Sequence, residues 1–507
     1  MTRSRPPHPD SAPRDWLARG RIAAAVALML GVVTAALPAS AQREQAAPRE
    51  VVLRLAGSGT IGAKMALELA TGWAKQLKLP AVRIDGGLDP DEYDIIAEGA
   101  ERAQKLRIEV RAKGTASGLE PLLRGQADIW MASRPARESD LDAMRRRNVP
   151  NLPSFAQLQQ PGIENVVGLA ALAIVVNARN PVPVLSPAQL RDIYSGKVTS
   201  WARVGGPSNM PIGLYSAEIG FGSLEMFCIT IMGNPDSQRC ADAFPRLVAP
   251  RFNLLEDMGD AVAGNPAGIA FTDLSLRRSA RVVPLATDCG AAVEPSLFRI
   301  KTDEYPLGRR LYFYLPPGRE PSAATREFLE FTLSPAGQAA VAAAGFADLS
   351  PSMADASYAT DRLGAARETM DGGRTRVRPQ DVRLFEESVA GSDRLSITFR
   401  FQAGTNDLDS RAEADLERLV TLMQGPGYEK AKLTMIGYSG TVGDYGQNRI
   451  LSRDRADAIR NRLQEAGIQD VTAVGVGPVG AVACNLDPNT GSLNQRVEVW
   501  VRRPRPS

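Results

Sequence analysis

Apolar and polar residues alternate over Val51–Leu55, which is the period of a β-strand. Gly57–Thr60 follows as a turn, and apolar residues then recur at helical spacing from Met65 to Trp73. A strand, a glycine-rich turn and a helix start together present unpaired N–H groups and the positive end of a helix dipole. The pattern predicts a turn that binds an anion, although many α/β proteins use such a turn only as a connection.

Two more strand-like segments end in loops of small residues. Leu106–Val110 leads into Lys113–Gly118, and Ala127–Ala132 leads into Ser133–Pro135. Because ligands of open α/β sheets bind at the carboxyl ends of the strands, the three loops predict a ligand crevice at that edge.

The same alternation of strands and helices continues towards residue 349. Val166–Asn177 is a long apolar run of strand-forming residues, and Ser186 is the predicted N-cap of the helix that follows it. Tyr305–Tyr314 predicts a core strand with a turn at Arg309-Arg310, and Ala323–Ala344 predicts a helix.

A second pattern of strands and helices occupies the C-terminal part of the chain. It follows Asp348–Gly373, which is rich in Ser, Asp, Ala and Gly and predicts an exposed linker containing a helix. The predicted strands are Leu395–Phe401, Leu433–Tyr438 and Gln495–Val501, and the predicted helices are Leu408–Met423 and Ile450–Ala466, the latter capped by Gly467. This arrangement predicts a second domain.

The N-terminus carries the features of a secretory signal peptide. Residues 1–21 are polar and basic, Ile22–Leu37 is apolar, and Ala39-Ser40-Ala41 offers small residues for cleavage before Gln42. The apolar run is short for a membrane span, which needs roughly 20 residues. We therefore expect residues 1–41 to be removed on export, with an uncleaved anchor as the alternative.

Removal of this segment changes the charge of the protein. The full chain has 60 Lys and Arg against 57 Asp and Glu, a formal charge of +3. The segment itself has five Arg against two Asp, also +3, so the mature chain is formally neutral. A nucleic-acid-binding protein normally shows a basic surface, and we do not expect nucleic acid as a partner.

The one histidine of the chain, His8, lies in the same segment. The mature protein therefore has no Ser-His-Asp triad, no Cys-His pair and no histidine metal ligand. We expect no enzymatic activity, no metal and no cofactor.

The cysteines are Cys228, Cys240, Cys289 and Cys484, and none of them has CxxC spacing. Export to an oxidising compartment favours disulfides, and a Cys228–Cys240 bond would close a short loop. Four cysteines allow three full pairings, so the connectivity stays open at this point.

The first domain resembles the phosphate-type periplasmic solute-binding proteins of ABC transporters. The resemblance rests on the blocks GSGTIG, KGTASGLEPLLRGQADIWMASRP, LAIVVNARNPVPVLSPAQLRDIYSGKVTSW and NPAGIAFTDL. It implies an α/β fold of the type II periplasmic binding protein, with an anion held between two lobes. The implied anion-binding residues are Ser58, Gly59, Thr60, Ile61, Thr115, Ser117, Ser133, Arg134, Gly222 and Ser223; Thr115 and Ser117 are alternatives for one role.

This chain departs from the family at two positions that matter for the ligand. Arg134 stands where phosphate binders have an Asp that accepts the proton of phosphate, and an arginine cannot accept a hydrogen bond. The family's later Arg is missing from Tyr215–Ser223. We therefore expect either that Arg134 supplies the positive charge, with weak preference for phosphate over sulfate, or that only the fold remains.

The second domain resembles the OmpA-like peptidoglycan-associated domain over its whole length. The blocks are FRFQAGTNDLDSRAEADLERL, MIGYSGTVGDYGQNRILSRDRADAIRNRLQEAGI and NQRVEVWV. The resemblance implies an α+β fold and a peptidoglycan site at Ser439, Asn448 and Arg455. Gly440 replaces the family's Asp, which implies weak binding, and Arg496 is expected to support the fold.

Together these features predict a non-enzymatic binding protein of the periplasm, associated with the cell wall or outer membrane. The expected domains are residues 50–349 and 394–503, joined by a linker over residues 350–393. Expected partners are a small anion (phosphate, sulfate or carboxylate), peptidoglycan, and an envelope or ABC-transporter protein. The alternative is a structural or assembly protein that keeps both folds for protein contacts, with neither site occupied.

Overall fold

The computed structural model describes residues 53–86, 89, 91–99, 105–207, 210–219, 222–234, 237–242, 244, 251–252, 255–286, 292–354, 358, 360–364, 367, 377–402, 405, 407–440, 443–482 and 491–503. The predicted signal peptide, Cys289 and Cys484 lie outside these residues. Within them, no helix is both long and apolar enough to span a membrane.

The secondary structure alternates as the sequence predicts. The strands are β1 (Leu53–Gly57), β2 (Ala81–Gly86), β3 (Glu92–Glu98), β4 (Lys105–Arg111), β5 (Ile129–Ala132), β6 (Glu164–Val176), β7 (Gly213–Leu214), β8 (Ser216–Ala217), β9 (Arg251–Phe252), β10 (Gly268–Asp273), β11 (Arg281–Val282), β12 (Leu285–Ala286), β13 (Ala292–Val293), β14 (Gly308–Tyr314), β15 (Asp393–Arg400), β16 (Lys432–Gly437), β17 (Val471–Gly475) and β18 (Arg496–Arg502). The helices are α1 (Ala66–Gln76), α2 (Leu119–Leu123), α3 (Glu138–Arg146), α4 (Phe155–Leu158), α5 (Pro187–Tyr194), α6 (Gly222–Thr230), α7 (Ser237–Asp242), α8 (Leu255–Gly264), α9 (Leu297–Lys301), α10 (Ala323–Leu333), α11 (Pro335–Ala343), α12 (Pro379–Val389), α13 (Ser410–Met423) and α14 (Tyr445–Glu465).

The N-terminal domain, β1–β14 with α1–α11, has a ten-stranded sheet in the order β2-β3-β4-β1-β5-β14-β6-β10-β7, with β11 also paired to β6. Strands β4, β1 and β5 are parallel, so their carboxyl ends share one edge. The loops predicted to form a crevice follow these three strands. The fold is the two-lobed α/β arrangement that the sequence predicted.

Strands β6 and β14 connect the two lobes. Strand β14 pairs antiparallel with β5 of the first lobe and with β6 along Glu164–Ala171. Strand β6 continues into the second lobe, where Leu172–Val176 pairs with β10. The first lobe packs residues such as Leu53, Trp73 and Phe328 into one core, and the second packs Tyr194, Phe227 and Phe271 into another.

Three sequence predictions in this region are corrected by the structure. Arg309 and Arg310 lie inside strand β14 and not in a turn. The helix predicted over Ala323–Ala344 is two helices, because Ser334 has an extended backbone and caps α11, which begins at Pro335. Within the predicted exposed linker, the described residues Tyr358 and Arg362 are buried.

The C-terminal domain, α12–α14 with β15–β18, is an α+β unit with the sheet order β15-β18-β16-β17. Helices α13 and α14 cover one face of the sheet with residues such as Leu419 and Ile459. Helix α12 covers the other face, where Phe385 packs against Trp500 and Tyr438.

Two local features agree with the sequence reading. Ser186 caps α5, accepting a hydrogen bond from the Gln189 N–H at 3.1 Å while the Gln189 side chain accepts from the Ser186 N–H at 2.8 Å. Cys228 and Cys240 form a disulfide that joins α6 to α7.

Candidate functional site

The turn after β1 is shaped by one glycine. Gly57 has φ +129°, and a Cβ there would lie 2.2 Å from the Met131 carbonyl oxygen, so no other residue fits. The Ser58 N–H donates to that same oxygen at 2.9 Å. The Ser58 hydroxyl accepts from the Ile61 N–H at 3.4 Å, so it stabilises the turn itself. Thr60 comes next, and its hydroxyl makes its hydrogen bond outside this turn.

The second and third loops meet at Thr115 and Ser133. The Thr115 Oγ1 accepts from the Ser133 N–H at 3.1 Å and lies 3.1 Å from the Ser133 Oγ. The Ser117 hydroxyl instead donates to the Gly114 carbonyl at 2.8 Å. Of the two alternatives left open by the sequence, Thr115 is the one whose hydroxyl contacts Ser133.

Arg134, the expected positive charge, has its donors engaged by carboxylates. Its Nη1 and Nη2 donate to the two oxygens of Asp140 at 2.7 and 2.8 Å, and its Nε donates to Glu225 Oε1 at 2.7 Å. Burial alone lowers the pKa of Arg134, but Asp140 and Glu225 outweigh it and raise the pKa above its ordinary value. This arginine joins the two lobes through Glu225 and has little capacity left for a ligand.

Arg309 is a buried cation beside the first loop, and it was not among the residues predicted for the site. Its Nη2 donates to Asp273 Oδ1 at 2.8 Å and to Thr60 Oγ1 at 3.3 Å. Its Nε and Nη1 are buried and have no hydrogen-bond partner among the described residues. A buried guanidinium with two unused donors is costly unless something else binds them.

The first residues of α6, which belong to the second lobe, lie next to Thr60, Ser133 and Arg309. A Cβ on Gly222 would lie 2.6 Å from Ser133 Oγ, 3.2 Å from Arg309 Nη1 and 3.3 Å from Thr60 Oγ1. The next residue, Ser223, has a buried hydroxyl without a hydrogen-bond partner in the described part of the chain. Thr60 and Ser133 of the first lobe, Gly222 of the second and Arg309 of β14 thus form one cluster, which we call the cleft cluster.

Arg309 had one signal in the sequence. The segment GRRLYFY places Arg309 at alternating positions with Leu311 and Phe313, which are buried in strand β14. An arginine on the inward face of a core strand is a buried charge that needs a partner. Because a turn was predicted at Arg309-Arg310, the sequence did not indicate a buried arginine at this position.

Of the residues implied for peptidoglycan, Asn448 and Arg455 lie in α14, and Ser439 lies between β16 and α14. Arg455 is 5 % exposed, and its Nη1 and Nη2 both donate to Gln495 Oε1 at 3.2 Å. Its guanidinium also lies 4.7 Å from the ring centroid of Phe401. Burial lowers the pKa of Arg455.

The other two residues of this set, Ser439 and Asn448, make local hydrogen bonds close to the start of α14. The Ser439 N–H donates to Gly477 O at 2.9 Å and its hydroxyl to Gly440 O at 3.3 Å. The Asn448 N–H donates to the Asp444 carbonyl at 3.0 Å, within the first turn of the helix. Asp444 is the N-cap, and its Oδ1 accepts from the Gln447 N–H at 2.9 Å, so this carboxylate is engaged in capping.

Arg496 is bonded within the core of its own domain, which agrees with the expectation that it supports the fold. Its Nε and Nη2 donate to Glu498 Oε1 at 2.9 and 2.7 Å, with both side chains fully buried. Its guanidinium stacks 3.9 Å from the ring centroid of Tyr438.

Comparison with known proteins agrees with both parts of the fold. A family model described as PBP superfamily domain matches residues 86–336, and one described as OmpA family matches residues 400–484. Protein SphX of Synechococcus elongatus is 25% identical over 259 residues, which cover 49% of this chain and 71% of that protein. Phosphate-binding protein PstS of Staphylococcus saprophyticus is 26% identical over 249 residues, covering 48% of this chain and 71% of that protein.

Among solved structures, an ABC-type phosphate transport receptor from Vibrio cholerae is similar, with 21% identity and a TM-score of 0.41, covering 58% of this chain and 98% of that chain. By the two family models, the chain carries a PBP superfamily domain over residues 86–336 and an OmpA family domain over residues 400–484.

Proposed function

We propose that the protein binds a small phosphate-like anion in the cleft between the lobes of its N-terminal domain, and that it acts by binding and not by catalysis. The observation that carries this proposal is Arg309, whose buried Nε and Nη1 have no partner among the described residues. Arg309 lies beside the hydroxyls of Thr60 and Ser133 in the first lobe, and Gly222 of the second lobe lies next to the same group. A tetrahedral oxyanion supplies acceptors in several directions at once and fits such a set of donors.

The relatives support the same ligand class. Proteins named phosphate-binding protein PstS match this chain over about half of its length. The charge that the sequence analysis assigned to Arg134 is better assigned to Arg309, because Arg134 is occupied by Asp140 and Glu225.

Selectivity between phosphate and sulfate depends on an acceptor near the ligand. Asp273 is the carboxylate that bonds Arg309, and it is buried at the end of β10. Because phosphate carries a proton at neutral pH and sulfate does not, a carboxylate beside the bound anion favours phosphate. With Asp273 at the site, we expect a stronger preference for phosphate over sulfate than the sequence predicted from Arg134. Asp273→Asn should reduce the ratio of phosphate affinity to sulfate affinity.

We propose that the C-terminal domain associates weakly with peptidoglycan in the periplasm. The support is the OmpA family match and Arg455, whose bonds go to neutral oxygens that a carboxylate ligand can displace. Gly440 offers no charge to an ammonium group. An envelope protein or an ABC transporter is the partner that fits this location.

The test of the anion proposal is calorimetric titration of the mature chain with phosphate, sulfate and acetate. We expect one saturable site per chain for phosphate, with weaker heat for sulfate. Absence of saturable heat with all three anions contradicts the proposal and favours the structural alternative, in which both folds serve protein contacts only.

A further inference from the structure

Two consecutive arginines of strand β14 face opposite sides of the sheet. Successive side chains in a strand point to opposite faces, so when Arg309 faces the cleft, Arg310 faces away from it. Arg310 Nη1 donates to Asp409 Oδ2 at 2.7 Å, and its Nη2 donates to Asp303 Oδ2 at 2.9 Å. Asp409 belongs to the C-terminal domain, so one strand contacts both the cleft cluster and the other domain.

Asp409 also fixes the start of a helix. It is the N-cap of α13, and its Oδ1 accepts from the Ala412 N–H at 2.8 Å. The bond from Arg310 to the other oxygen of Asp409 therefore sets the position of this helix relative to β14.

Asp303 joins Arg310 to two arginines of the C-terminal domain. Arg411 Nη1 donates to Asp303 Oδ1 at 3.0 Å, and Arg400 Nε donates to Asp303 Oδ2 at 3.3 Å. Burial raises the pKa of Asp303, but its three arginine partners outweigh burial and hold the pKa below its ordinary value. The interface between the domains is thus a buried, directional cluster of charges.

A second chain of hydrogen bonds runs from α13 to the loop that carries Ser133. Ser410 Oγ donates to Glu164 Oε1 at 2.5 Å, and the Tyr314 hydroxyl donates to Glu164 Oε2 at 2.6 Å. The Tyr314 oxygen accepts from the Ala136 N–H at 2.9 Å, in the loop that follows Ser133. Glu164 begins β6 and Tyr314 ends β14, which are the two strands shared by the lobes.

We propose that anion binding in the cleft and docking of the C-terminal domain on β6 and β14 are thermodynamically linked, with Arg310 as a positioning residue for Arg309. This inference rests on the proposed anion site. Two-lobed proteins close on ligands by small rotations at the connecting strands, and charged hydrogen bonds at those strands depend strongly on their geometry. In this structure the docked C-terminal domain occurs together with a narrow cleft, in which a Cβ on Gly222 would lie 2.6 Å from Ser133 Oγ and 3.2 Å from Arg309 Nη1. The proposal is that docking favours this narrow form of the cleft.

Linkage of this kind is reciprocal. If docking favours the closed cleft, then phosphate also favours docking, by the same factor. An interface that only stabilises the fold has neither effect. The two directions are measurable separately in the intact chain.

The experiment compares Asp409→Asn with Glu413→Gln in the full chain. Asparagine is as good an N-cap as aspartate, so Asp409→Asn removes the charge opposite Arg310 and leaves the cap of α13. Glu413 lies on the same helix but pairs with Arg462 at 2.7 Å, within the C-terminal domain. Ser410→Ala is a second test variant, because it removes the bond to Glu164.

Phosphate affinity is measured by calorimetry, and exchange of the Ala412 amide is measured with and without phosphate. We expect Asp409→Asn to weaken phosphate binding by about fivefold or more, in the range typical of coupled sites, and Glu413→Gln to leave it unchanged. We expect phosphate to slow exchange at Ala412 in the wild type and to do so less in Asp409→Asn.

The outcomes separate the two proposals. Phosphate binding with equal affinity in the wild type, Asp409→Asn and Ser410→Ala, together with unchanged exchange at Ala412, overturns the linkage and leaves the anion site standing. No phosphate binding in the wild type overturns the anion site, and the linkage with it.

Discussion

Arg309 in the cleft and Arg455 in the C-terminal domain are both buried arginines, and they differ in what satisfies them. Arg309 has one carboxylate partner, Asp273, while its Nε and Nη1 lack partners among the described residues. Among the described residues Arg455 has no carboxylate partner, but both of its terminal nitrogens donate to Gln495, and its plane stacks on Phe401. Arg309 thus keeps two donors without a partner in the described part of the chain, whereas the terminal nitrogens of Arg455 are satisfied by its own domain.

The difference predicts unequal ligand affinities in the two domains. In the proposed function, an anion would bond Arg309 Nε and Nη1, which have no partner to displace among the described residues. A carboxylate at Arg455 must displace Gln495, and it finds no acidic partner for an accompanying ammonium at Gly440. We therefore expect the cleft to be the stronger ligand site.

The largest predicted effect concerns Asp303, a carboxylate that pairs with three arginines. Asp303→Asn removes the carboxylate shared by Arg310, Arg400 and Arg411, and we expect a loss of about 3–5 kcal/mol in the free energy of unfolding. Asparagine tolerates the φ of +55° at this position, so the backbone is not strained. Asp393→Asn is the control, since Asp393 pairs with Arg503 at the surface and is expected to change stability by less than about 0.5 kcal/mol.

The same variant has a predicted pH dependence. Because the pKa of Asp303 is lower in the folded than in the unfolded state, its stabilisation is fully present above the ordinary pKa of about 3.9 and is lost as pH falls below that value. The stability difference between wild type and Asp303→Asn, measured by urea denaturation, should therefore shrink with acidification. A difference that grows below pH 4 contradicts the assignment.

The next prediction tests the difference between Arg309 and Arg455. Arg309→Gln removes the guanidinium and its charge from the cleft, and we expect phosphate affinity to fall by about ten- to a hundredfold, equivalent to about 1.5–3 kcal/mol. Arg455→Gln is the matched control and should leave phosphate affinity unchanged. Equal losses in both variants, measured by calorimetry, would remove the distinction between the two arginines.

A gain of function is expected in the C-terminal domain. Gly440→Asp supplies the missing acidic group, and we expect binding to purified sacculi to increase by roughly thirtyfold, about 2 kcal/mol, while Arg455→Ala abolishes it. Asp444→Asn should have no effect, because its side chain caps α14 and asparagine caps equally well. A strong loss of sacculus binding in Asp444→Asn would show that Asp444 holds the ammonium group instead.

The smallest effect is expected at Ser223. Its hydroxyl is buried without a partner in the described structure, so Ser223→Ala should cost no stability but should weaken phosphate binding by about two- to tenfold. Ser117→Ala is the control, because the Ser117 hydroxyl bonds the carbonyl of Gly114 in its own turn. Unfolding midpoints and phosphate titrations of both variants check this pair of expectations.

The sequence predicted the features that depend on nearby residues. The cap of α5 needs only Ser186 and Gln189, three positions apart, and it forms as predicted. The resemblance of sequence blocks predicted both folds. The helix break at Ser334–Pro335 was also local, and it was missed because the surrounding alanines dominate the pattern.

The cleft depended on contacts that no local pattern contains. Thr60 and Arg309 are 249 residues apart in sequence, and Arg134 meets Glu225 across 91 residues. Whether an arginine is satisfied depends on which carboxylates the fold brings to it. The sequence therefore predicted the loops that meet at the candidate site, but one of its two alternatives placed the positive charge at Arg134, and neither of them included Arg309.

The most direct test of the account is an NMR titration that follows the arginine Nε–Hε signals of the full chain with phosphate. The signals of Arg309 and Arg455 are assigned by their absence in Arg309→Lys and Arg455→Lys. Both Nε groups are buried without a partner among the described residues, so each reports directly on an added ligand. We predict that the Arg309 signal shifts saturably with phosphate while the Arg455 signal stays in place. An Arg309 signal that does not move at saturating phosphate, or an Arg455 signal that moves in its stead, would contradict the account.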